Sequence, residues 1–382
     1  MFAERVAEVS PFLAVEIYGR ALEMERSGRH IVHFEIGEPD FDTPPAVGTA
    51  LQEALAGGQT HYTSATGDPD LRETLAAMYS RRYGVTIDPS RFLCFPGSSP
   101  AMLMLFGALL NPGDEVILSD PCYPCYGSTI RFSGGVPVFV PTCEDDGFRF
   151  EPGDVRAKIG ERTKALVINS PCNPTGVLLE DQRMQALADL GPLVISDEIY
   201  HGLNYSGGRD HTILEYTDNA IVIGGFSKTF AMTGWRLGYL VVPQAMVRSL
   251  QTLMQHFFIS ASSLVQKAGI AALTETDAEV EHMRQSYDAR RRAMLEGLRK
   301  LGFGIKVEPR GAFYILANAT HLGQDSYKLA FSLLEEAGVG VTPGIDFGAQ
   351  AEGFLRFSYA SSLETIREGM RRLGVYIEKH AR

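Results

Sequence analysis

The sequence has little cysteine for its length and no long hydrophobic run. Only five of its 382 residues are cysteines, too few to indicate a disulfide-stabilised scaffold. No apolar stretch approaches the ~20 residues that a membrane-spanning helix needs. The charged residues Glu4, Arg5 and Glu8 argue against an N-terminal signal peptide. We therefore expect a cytoplasmic protein that is not inserted in a membrane.

Positive charge is not in excess either. Asp and Glu number 46 against 35 Lys and Arg, giving a formal net charge of −11. This balance argues against a nucleic acid or an anionic membrane as partner. Cys122 and Cys125 form a C-x-x-C pair, but no second pair or histidine cluster stands nearby. We expect no metal site, and the role of this pair stays open.

Short Val- and Ile-rich segments alternate with helical patterns in much of the chain. They lack the polar alternation of a half-exposed strand, which predicts an α/β sheet covered by helices on both faces. The predicted strands are 91–95, 115–118, 136–140, 165–169, 193–196, 221–224 and 237–242.

The pattern of predicted secondary structure changes after residue 274. A long charged helix is predicted over 277–300, followed by strands at 303–307, 312–316 and 354–359 and by further helices. We therefore predict a large domain over 43–275 and a smaller α+β domain over 276–382. The N-terminal segment 1–42 precedes the α/β core and is expected to pack with the smaller domain.

Several predicted strands end in polar residues, and open α/β sheets bind ligands at the carboxyl ends of their strands. The stretch "PGSSP" places Gly97, Ser98 and Ser99 before a helix, where free N–H groups favour a phosphate. In "GGFSKTF", Lys228 follows Ser227, whereas a P-loop requires glycine before the lysine.

A partly buried lysine can instead serve as a nucleophile, because desolvation lowers its pKa. Lys228 beside a phosphate site suggests a Schiff base with pyridoxal 5′-phosphate (PLP). That cofactor also needs a carboxylate facing its pyridine nitrogen. Asp197, at the end of a neighbouring predicted strand, is a residue of the required kind.

The blocks "EIGEPDFDTP", "HYTSATGDPDLRE", "SPCNPTG", "SDEIY", "FSKTFAMTGWRLGY" and "FLRFSYA" resemble the signature blocks of class I aminotransferases, the fold-type I PLP enzymes. The resemblance extends from about residue 35 to residue 359. It implies a large domain with a mostly parallel seven-stranded sheet covered by helices, plus a smaller α+β domain. It also implies transfer of an amino group from an α-amino acid to a 2-oxo acid.

The resemblance assigns roles to matching residues. Lys228 would form the Schiff base and shuttle the proton, Asp197 would bind the pyridine nitrogen, and Asn173 and Tyr200 would bind the phenolic oxygen O3′. The remaining cofactor contacts would be the stacking ring of Tyr123 and the phosphate ligands Gly97, Ser98, Ser99, Ser227 and Arg236.

Other matches concern the substrate and a second subunit. Arg356 and Gly37 would bind the substrate α-carboxylate, and Asn173 would also contact the substrate. Tyr62 would reach the phosphate of the neighbouring subunit, which implies a homodimer with shared sites. The resemblance also implies a cis peptide between Asn173 and Pro174.

Two other functions stay open at this point. A PLP-dependent carbon–sulfur β-lyase would share every cofactor residue, and a non-catalytic ligand-binding domain could keep the same fold. For an aminotransferase, 2-oxoglutarate and glutamate are the expected second pair. We expect neutral or aromatic amino acids as substrates, because Ser99 stands where some prokaryotic aspartate aminotransferases carry a lysine.

Overall fold

The computed structural model describes residues 2–380. Residues 1, 381 and 382, which belong to the predicted segments 1–42 and 276–382, lie outside this range. Within it the strands, in chain order, are β1 (Val32–His33), β2 (Phe92–Phe95), β3 (Glu115–Asp120), β4 (Val136–Pro141), β5 (Thr163–Asn169), β6 (Leu193–Asp197), β7 (Ala220–Gly225), β8 (Gly238–Val241), β9 (Tyr314–Asn318), β10 (Val339–Gly340), β11 (Thr342–Pro343) and β12 (Phe354–Ser358).

Seven of these strands form the large sheet, in the order β2-β8-β7-β6-β5-β3-β4. Strand β8 runs antiparallel to both of its neighbours, and the other pairs are parallel. Both faces are covered: Phe92 and Cys94 belong to the hydrophobic core on one side, and Leu93 and Phe95 to the core on the other. The predicted mostly parallel seven-stranded sheet is confirmed.

Helices follow most of the strands. Asp68 begins one of them by accepting a hydrogen bond from the backbone N–H of Asp70, and Gly84 ends it at φ 72°, a conformation that favours glycine. Within residues 2–380 the α-helices are α1 (Leu13–Arg26), α2 (Pro45–Ala56), α3 (Pro69–Tyr83), α4 (Ser98–Leu109), α5 (Pro124–Phe132), α6 (Pro152–Arg156), α7 (Asp181–Ala188), α8 (Gln244–Phe257), α9 (Ser263–Glu275), α10 (Asp277–Lys300), α11 (Ser326–Ser332) and α12 (Leu363–His380).

The remaining strands build two small sheets near the C-terminal part of the chain. Strand β12 lies between β11 and β9 and is antiparallel to both, and β1 pairs with β10 in parallel. Residues of α1 and β1, such as Ile17 and Val32, share one core with Val339 and Ile366. The N-terminal segment therefore packs against residues of the C-terminal part.

The strand predicted at 303–307 is wrong. Of residues 303–307, only Gly304 pairs with β9, through reciprocal backbone hydrogen bonds with Asn318. The chain then turns away, and Lys306 forms an ion pair with Asp145. One bridge of this kind does not extend into a strand.

None of the helices between residues 2 and 380 combines the length and apolar character that a membrane crossing requires.

Candidate active site

The polar residues that follow the strands of the large sheet meet in one cavity of about 300 Å³. Asp197 ends β6, Lys228 follows β7, and Asn173 follows β5. Parallel strands bring these positions to the same edge of the sheet. Asn169 secures the arrangement, because its side chain donates to the carbonyl of Asp197 and accepts from the backbone N–H of Asn173. The Asn173–Pro174 peptide is cis, as predicted.

Lys228 lies in the interior of this cavity. Its Nζ donates a hydrogen bond to the backbone carbonyl of Gly37 at 2.7 Å. Burial lowers the pKa of Lys228 to about 8; the carboxylates of Glu38 and Asp197 oppose this shift, whereas Arg356 and Arg236 add to it. At such a pKa a useful fraction of the amine is neutral near physiological pH, as a nucleophile requires.

Asp197 is buried, and its two carboxylate oxygens have separate partners. Oδ2 accepts from the hydroxyl of Tyr126 at 2.6 Å, and Oδ1 accepts from the backbone N–H of Ile199 at 3.1 Å. Burial raises the pKa of Asp197, and the hydrogen bond from Tyr126 is the largest opposing influence. Tyr126 therefore helps to keep this buried carboxylate ionised.

The residues predicted to bind phosphate surround the N-terminus of α4. Ser98, Ser99, Ser227 and Arg236 all line the cavity. Gly97 is the N-cap of α4 at φ 102°, and a Cβ added there would lie 2.4 Å from Nη2 of Arg236. The backbone and the guanidinium thus approach each other as closely as glycine permits. Free N–H groups, hydroxyls and a cation together form an anion site.

Arg356, on β12, is only 2% exposed. Its Nη1 donates to Oδ1 of Asn173 at 3.0 Å, and its Nη2 donates to the carbonyl of Glu35 and to Oγ1 of Thr342. Its Nε has no hydrogen-bond partner among the described residues although it is buried. A buried guanidinium without an ion-paired carboxylate is costly, and it suits an anionic ligand in the cavity.

Five aromatic side chains line the cavity, namely Phe12, Tyr123, Tyr126, Tyr200 and Tyr314. Tyr123 lines the cavity, and its ring stacks edge-on against Phe12 and Tyr126 at centroid distances of 6.0 and 5.4 Å. Phe12 is placed by α1, whose first N–H groups, those of Leu13 and Ala14, donate to the carboxylate of Asp346.

Tyr62 and Tyr200 occupy contrasting positions. Tyr200 is buried in the cavity wall, and its hydroxyl lies 2.8 Å from that of Tyr314. Tyr62 is 83% exposed and does not line the cavity of its own chain. Such exposure is compatible with its predicted contact to a second subunit.

Sequence reasoning missed several residues of this site, among them Phe12, Tyr126 and Tyr314. Tyr126 lies one helical turn after Tyr123, a spacing that places both on the same face of a helix. That spacing could have identified Tyr126. Phe12 and Tyr314 reach the cavity through long-range contacts, for which the sequence carries no local signal.

The C-x-x-C pair takes no part in this geometry as a reactive couple. Both Cys122 and Cys125 are free thiols, and burial raises the pKa of each. A thiol held protonated in this way is a poor nucleophile and a poor metal ligand.

The donor set fits PLP. The cavity offers a lysine with a lowered pKa, a buried carboxylate, and an anion site at a helix N-terminus that suits a phosphate dianion. When bound, PLP supplies a carbonyl that condenses with amines and a protonated ring that draws electrons from the α-carbon. Arg356, which lines the same cavity and has no ion-paired carboxylate among the described residues, adds a second cation beside the anion site.

Comparison with known proteins gives a consistent result. The family model described as "Aminotransferase class I and II" matches residues 29–373. The aspartate/prephenate aminotransferase of Thermus thermophilus is 40% identical over 377 residues, covering 97% of each chain. The (5-formylfuran-3-yl)methyl phosphate transaminase of Methanocaldococcus jannaschii is 36% identical, covering 99% of this chain and 100% of the relative.

A solved structure extends the likeness to three dimensions. Aspartate aminotransferase from Thermus thermophilus with maleate superimposes with a TM-score of 0.94 at 39% identity, covering 98% of this chain and 99% of that one. The similarity in sequence and in fold extends over nearly the whole chain, and the chemistry of the cavity agrees with it. The chain therefore belongs to the class I and II aminotransferases, and it is a PLP-dependent transaminase of fold type I.

Proposed function

We propose that this aminotransferase acts on neutral or aromatic α-amino acids, with glutamate and 2-oxoglutarate as the second substrate pair. The observation that carries this proposal is the charge inventory of the cavity. Its lining contains the cations Lys228, Arg236 and Arg356, and each of them has a proposed task in binding cofactor or α-carboxylate. Within residues 2–380 of one chain, no fourth cation lines the cavity to pair with a distal carboxylate.

The other groups near the substrate point in the same direction. Burying an unpaired carboxylate is very costly, and Glu38 would add repulsion. We therefore expect glutamate to be tolerated as the second amino donor, with a lower kcat/KM than an aromatic amino acid. The wall also contains the apolar side chains of Phe12, Val15, Ile36 and Met102. Helix α1, which begins next to Phe12, carries Arg20. This arginine is exposed and forms ion pairs with Glu23 and Glu335, which do not line the cavity.

The cofactor roles proposed for this chain are supported by the residues that line the cavity. Lys228 would form the covalent link and move the proton at the α-carbon, and Asp197 would keep the pyridine nitrogen protonated. Tyr200 and Asn173 would donate to O3′, and Tyr123 would stack on the ring. The anion site around α4, namely Gly97, Ser98, Ser99, Ser227 and Arg236, would hold the phosphate.

Substrate contacts form the second part of the proposal. Arg356 pairs with the α-carboxylate, for which a planar guanidinium is well shaped. Asn173 and the backbone N–H of Gly37 hold the same end of the substrate. Fixing the α-carboxylate orients the α-hydrogen toward Lys228, and this orientation serves every amino acid regardless of its side chain.

We further propose a homodimer with shared sites. Tyr62 lies in a loop tied to α9 by hydrogen bonds from Ser263 to Gln59 and from Gln266 to Thr63. Phe257, at the end of α8, and Ile259, between α8 and α9, are 64% and 49% exposed. Exposed apolar side chains of this kind are typical of a subunit interface. Sedimentation should give a dimer, and a fully active monomer would refute it.

We also propose a division into an N-terminal segment 1–42, a large domain 43–275 and a small domain 276–382. It is supported by the packing of α1 and β1 with the C-terminal core.

We propose a cytoplasmic location because all five cysteines are free thiols, which suits a reducing compartment.

The deciding experiment compares kcat/KM for aspartate, alanine, tyrosine and phenylalanine with 2-oxoglutarate as acceptor. The Thermus thermophilus relative is named for both aspartate and prephenate, so aspartate is the strongest competitor. We expect phenylalanine or tyrosine to exceed aspartate. If aspartate wins by more than tenfold, about 1.4 kcal/mol, a cation from the second subunit faces the side chain and the proposal is wrong.

A further inference from the structure

Tyr314 is a buried side chain on β9 that touches three residues assigned to different tasks. Its hydroxyl lies 2.8 Å from the hydroxyl of Tyr200. Its ring lies beneath the guanidinium of Arg356, with Cζ 4.4 Å from the ring centroid. A Cβ added to Gly37 would lie 2.0 Å from the Tyr314 hydroxyl, so only glycine fits there. The cofactor side and the substrate side of the cavity therefore meet at one phenol.

The direction of the hydrogen bond between Tyr200 and Tyr314 follows from counting protons. A phenol has one hydroxyl proton, and it can accept as well as donate. If Tyr200 donates to O3′ of PLP, it has no proton left for Tyr314 and can only accept. Among the described residues the Tyr314 hydroxyl has no other hydrogen-bond partner, so its proton is directed to Tyr200.

Both phenols retain their protons under ordinary conditions. Burial raises the pKa of Tyr200 well above its usual value and also raises that of Tyr314. The cation stacked on the Tyr314 ring withdraws electron density and makes its hydroxyl a stronger donor. Hydrogen bonds arranged in a chain polarise one another, so a donor to Tyr200 strengthens the bond that Tyr200 makes in turn.

We propose that Tyr314 is a positioning residue that donates to Tyr200 and thereby strengthens the hydrogen bond from Tyr200 to O3′ of PLP. The inference rests on the role proposed for Tyr200. Its consequence is measurable without turnover, because donors to O3′ stabilise the deprotonated form of the cofactor linked to Lys228. The pH midpoint of the visible absorbance of bound PLP should therefore depend on Tyr314.

The test is an absorbance titration of the PLP-loaded protein. Tyr314→Phe should raise the pH midpoint by roughly half a unit, and Tyr200→Phe should raise it further. In the Tyr200→Phe background, Tyr314→Phe should add nothing. The matched control is Tyr359→Phe, which removes another buried phenol, one that donates to the carbonyl of Ala312 outside the cavity. Its midpoint should equal that of the native protein.

The outcomes separate the two levels of the proposal. If Tyr200→Phe shifts the midpoint but Tyr314→Phe does not, the relay is wrong and the role of Tyr200 stands. If neither variant shifts it, both are wrong. Should Tyr314→Phe fail to fold, 3-fluorotyrosine incorporated at position 314 keeps the ring and makes the phenol a stronger donor. The midpoint should then fall, and an unchanged or higher midpoint overturns the relay.

Discussion

The two sides of the cavity are built in different ways. The proposed cofactor side comes from residues at the strand ends of the large sheet, such as Asp197 at the end of β6 and Lys228 after β7. The proposed substrate side is assembled from the start of α1, the segment after β1, and the three-stranded sheet, which supply Phe12, Gly37 and Arg356. The cofactor side depends on the register of neighbouring strands. The substrate side depends on contacts between parts of the chain that are distant in sequence.

This difference suggests where variation is tolerated. Strand ends of a buried sheet are held by hydrogen bonds and by two hydrophobic cores, so their side chains have little freedom. On the substrate side, the wall is formed by the start of α1 and the segment after β1. A single substitution there can change the shape of the wall without affecting the large sheet. Common chemistry on the cofactor side and adjustable specificity on the substrate side follow from this arrangement.

The largest effect is expected on the cofactor side, at Lys228. Lys228→Ala should abolish the visible absorbance of the PLP-loaded protein and reduce kcat at least roughly 10³-fold, because the covalent link and the proton carrier are both lost. Lys164→Ala, which removes a half-exposed lysine outside the cavity, is the control. An unchanged absorbance band in Lys228→Ala would place the covalent link on another lysine.

The next prediction ranks two residues of the same side. Asp197→Ala should lower kcat by roughly 10³-fold, because the buried carboxylate keeps the pyridine ring protonated. Tyr200→Phe should cost only about tenfold, since it removes one hydrogen bond and Asn173 shares the task. Steady-state kinetics with one amino acid and 2-oxoglutarate measures both. Equal losses would contradict the ranking.

The same division explains what the sequence could predict. The strands of the large sheet and their polar ends were identified because apolar segments, turns and motifs are local features. The prediction of a strand at 303–307 failed because a strand needs a partner to pair with, and Gly304 is the only residue of this stretch that pairs with β9. Phe12 and Tyr314 were missed for the same reason, since each reaches the cavity through tertiary packing. Only α10 (Asp277–Lys300), a long helix with a charged face, was predicted with both of its ends.

On the substrate side, Phe12 offers a test of specificity. Phe12→Ala should lower kcat/KM for phenylalanine about tenfold, since a lost aromatic contact costs about 1 kcal/mol or more. Alanine, whose side chain is too short to reach that wall, should be affected little. Phe2→Ala, which removes an exposed ring of the same segment, is the control. Equal losses for both substrates would remove Phe12 from the side-chain wall.

The smallest effect is expected in the polar contacts that hold the substrate side together. His33 on β1 donates from Nδ1 to the buried carboxylate of Glu35 at 2.7 Å, and its Nε2 lies 3.2 Å from Glu25. The backbone carbonyl of Glu35 in turn accepts from Arg356. The hydrogen bond with Glu35 raises the pKa of His33 to about 9, although burial opposes this shift.

The sign of the pH dependence follows from that shift. A pKa raised from about 6.5 in the unfolded chain means that folding favours the protonated ring. This stabilisation is complete below about pH 6.5 and is lost as the pH rises through about 9. Because the ring is partly exposed, we expect a contribution of only about 1–2 kcal/mol to the free energy of unfolding.

His33→Gln should therefore destabilise the protein at pH 6 and have little effect near pH 10, as measured by denaturant or thermal unfolding at both pH values. His61→Gln, at an exposed histidine, should change stability at neither pH. The absorbance of bound PLP in His33→Gln should stay as in the native protein, because Lys228 and Asp197 are positioned by the large sheet. A loss of stability that is equal at both pH values would mean that the packing of the ring, and not its charge, stabilises this side of the cavity.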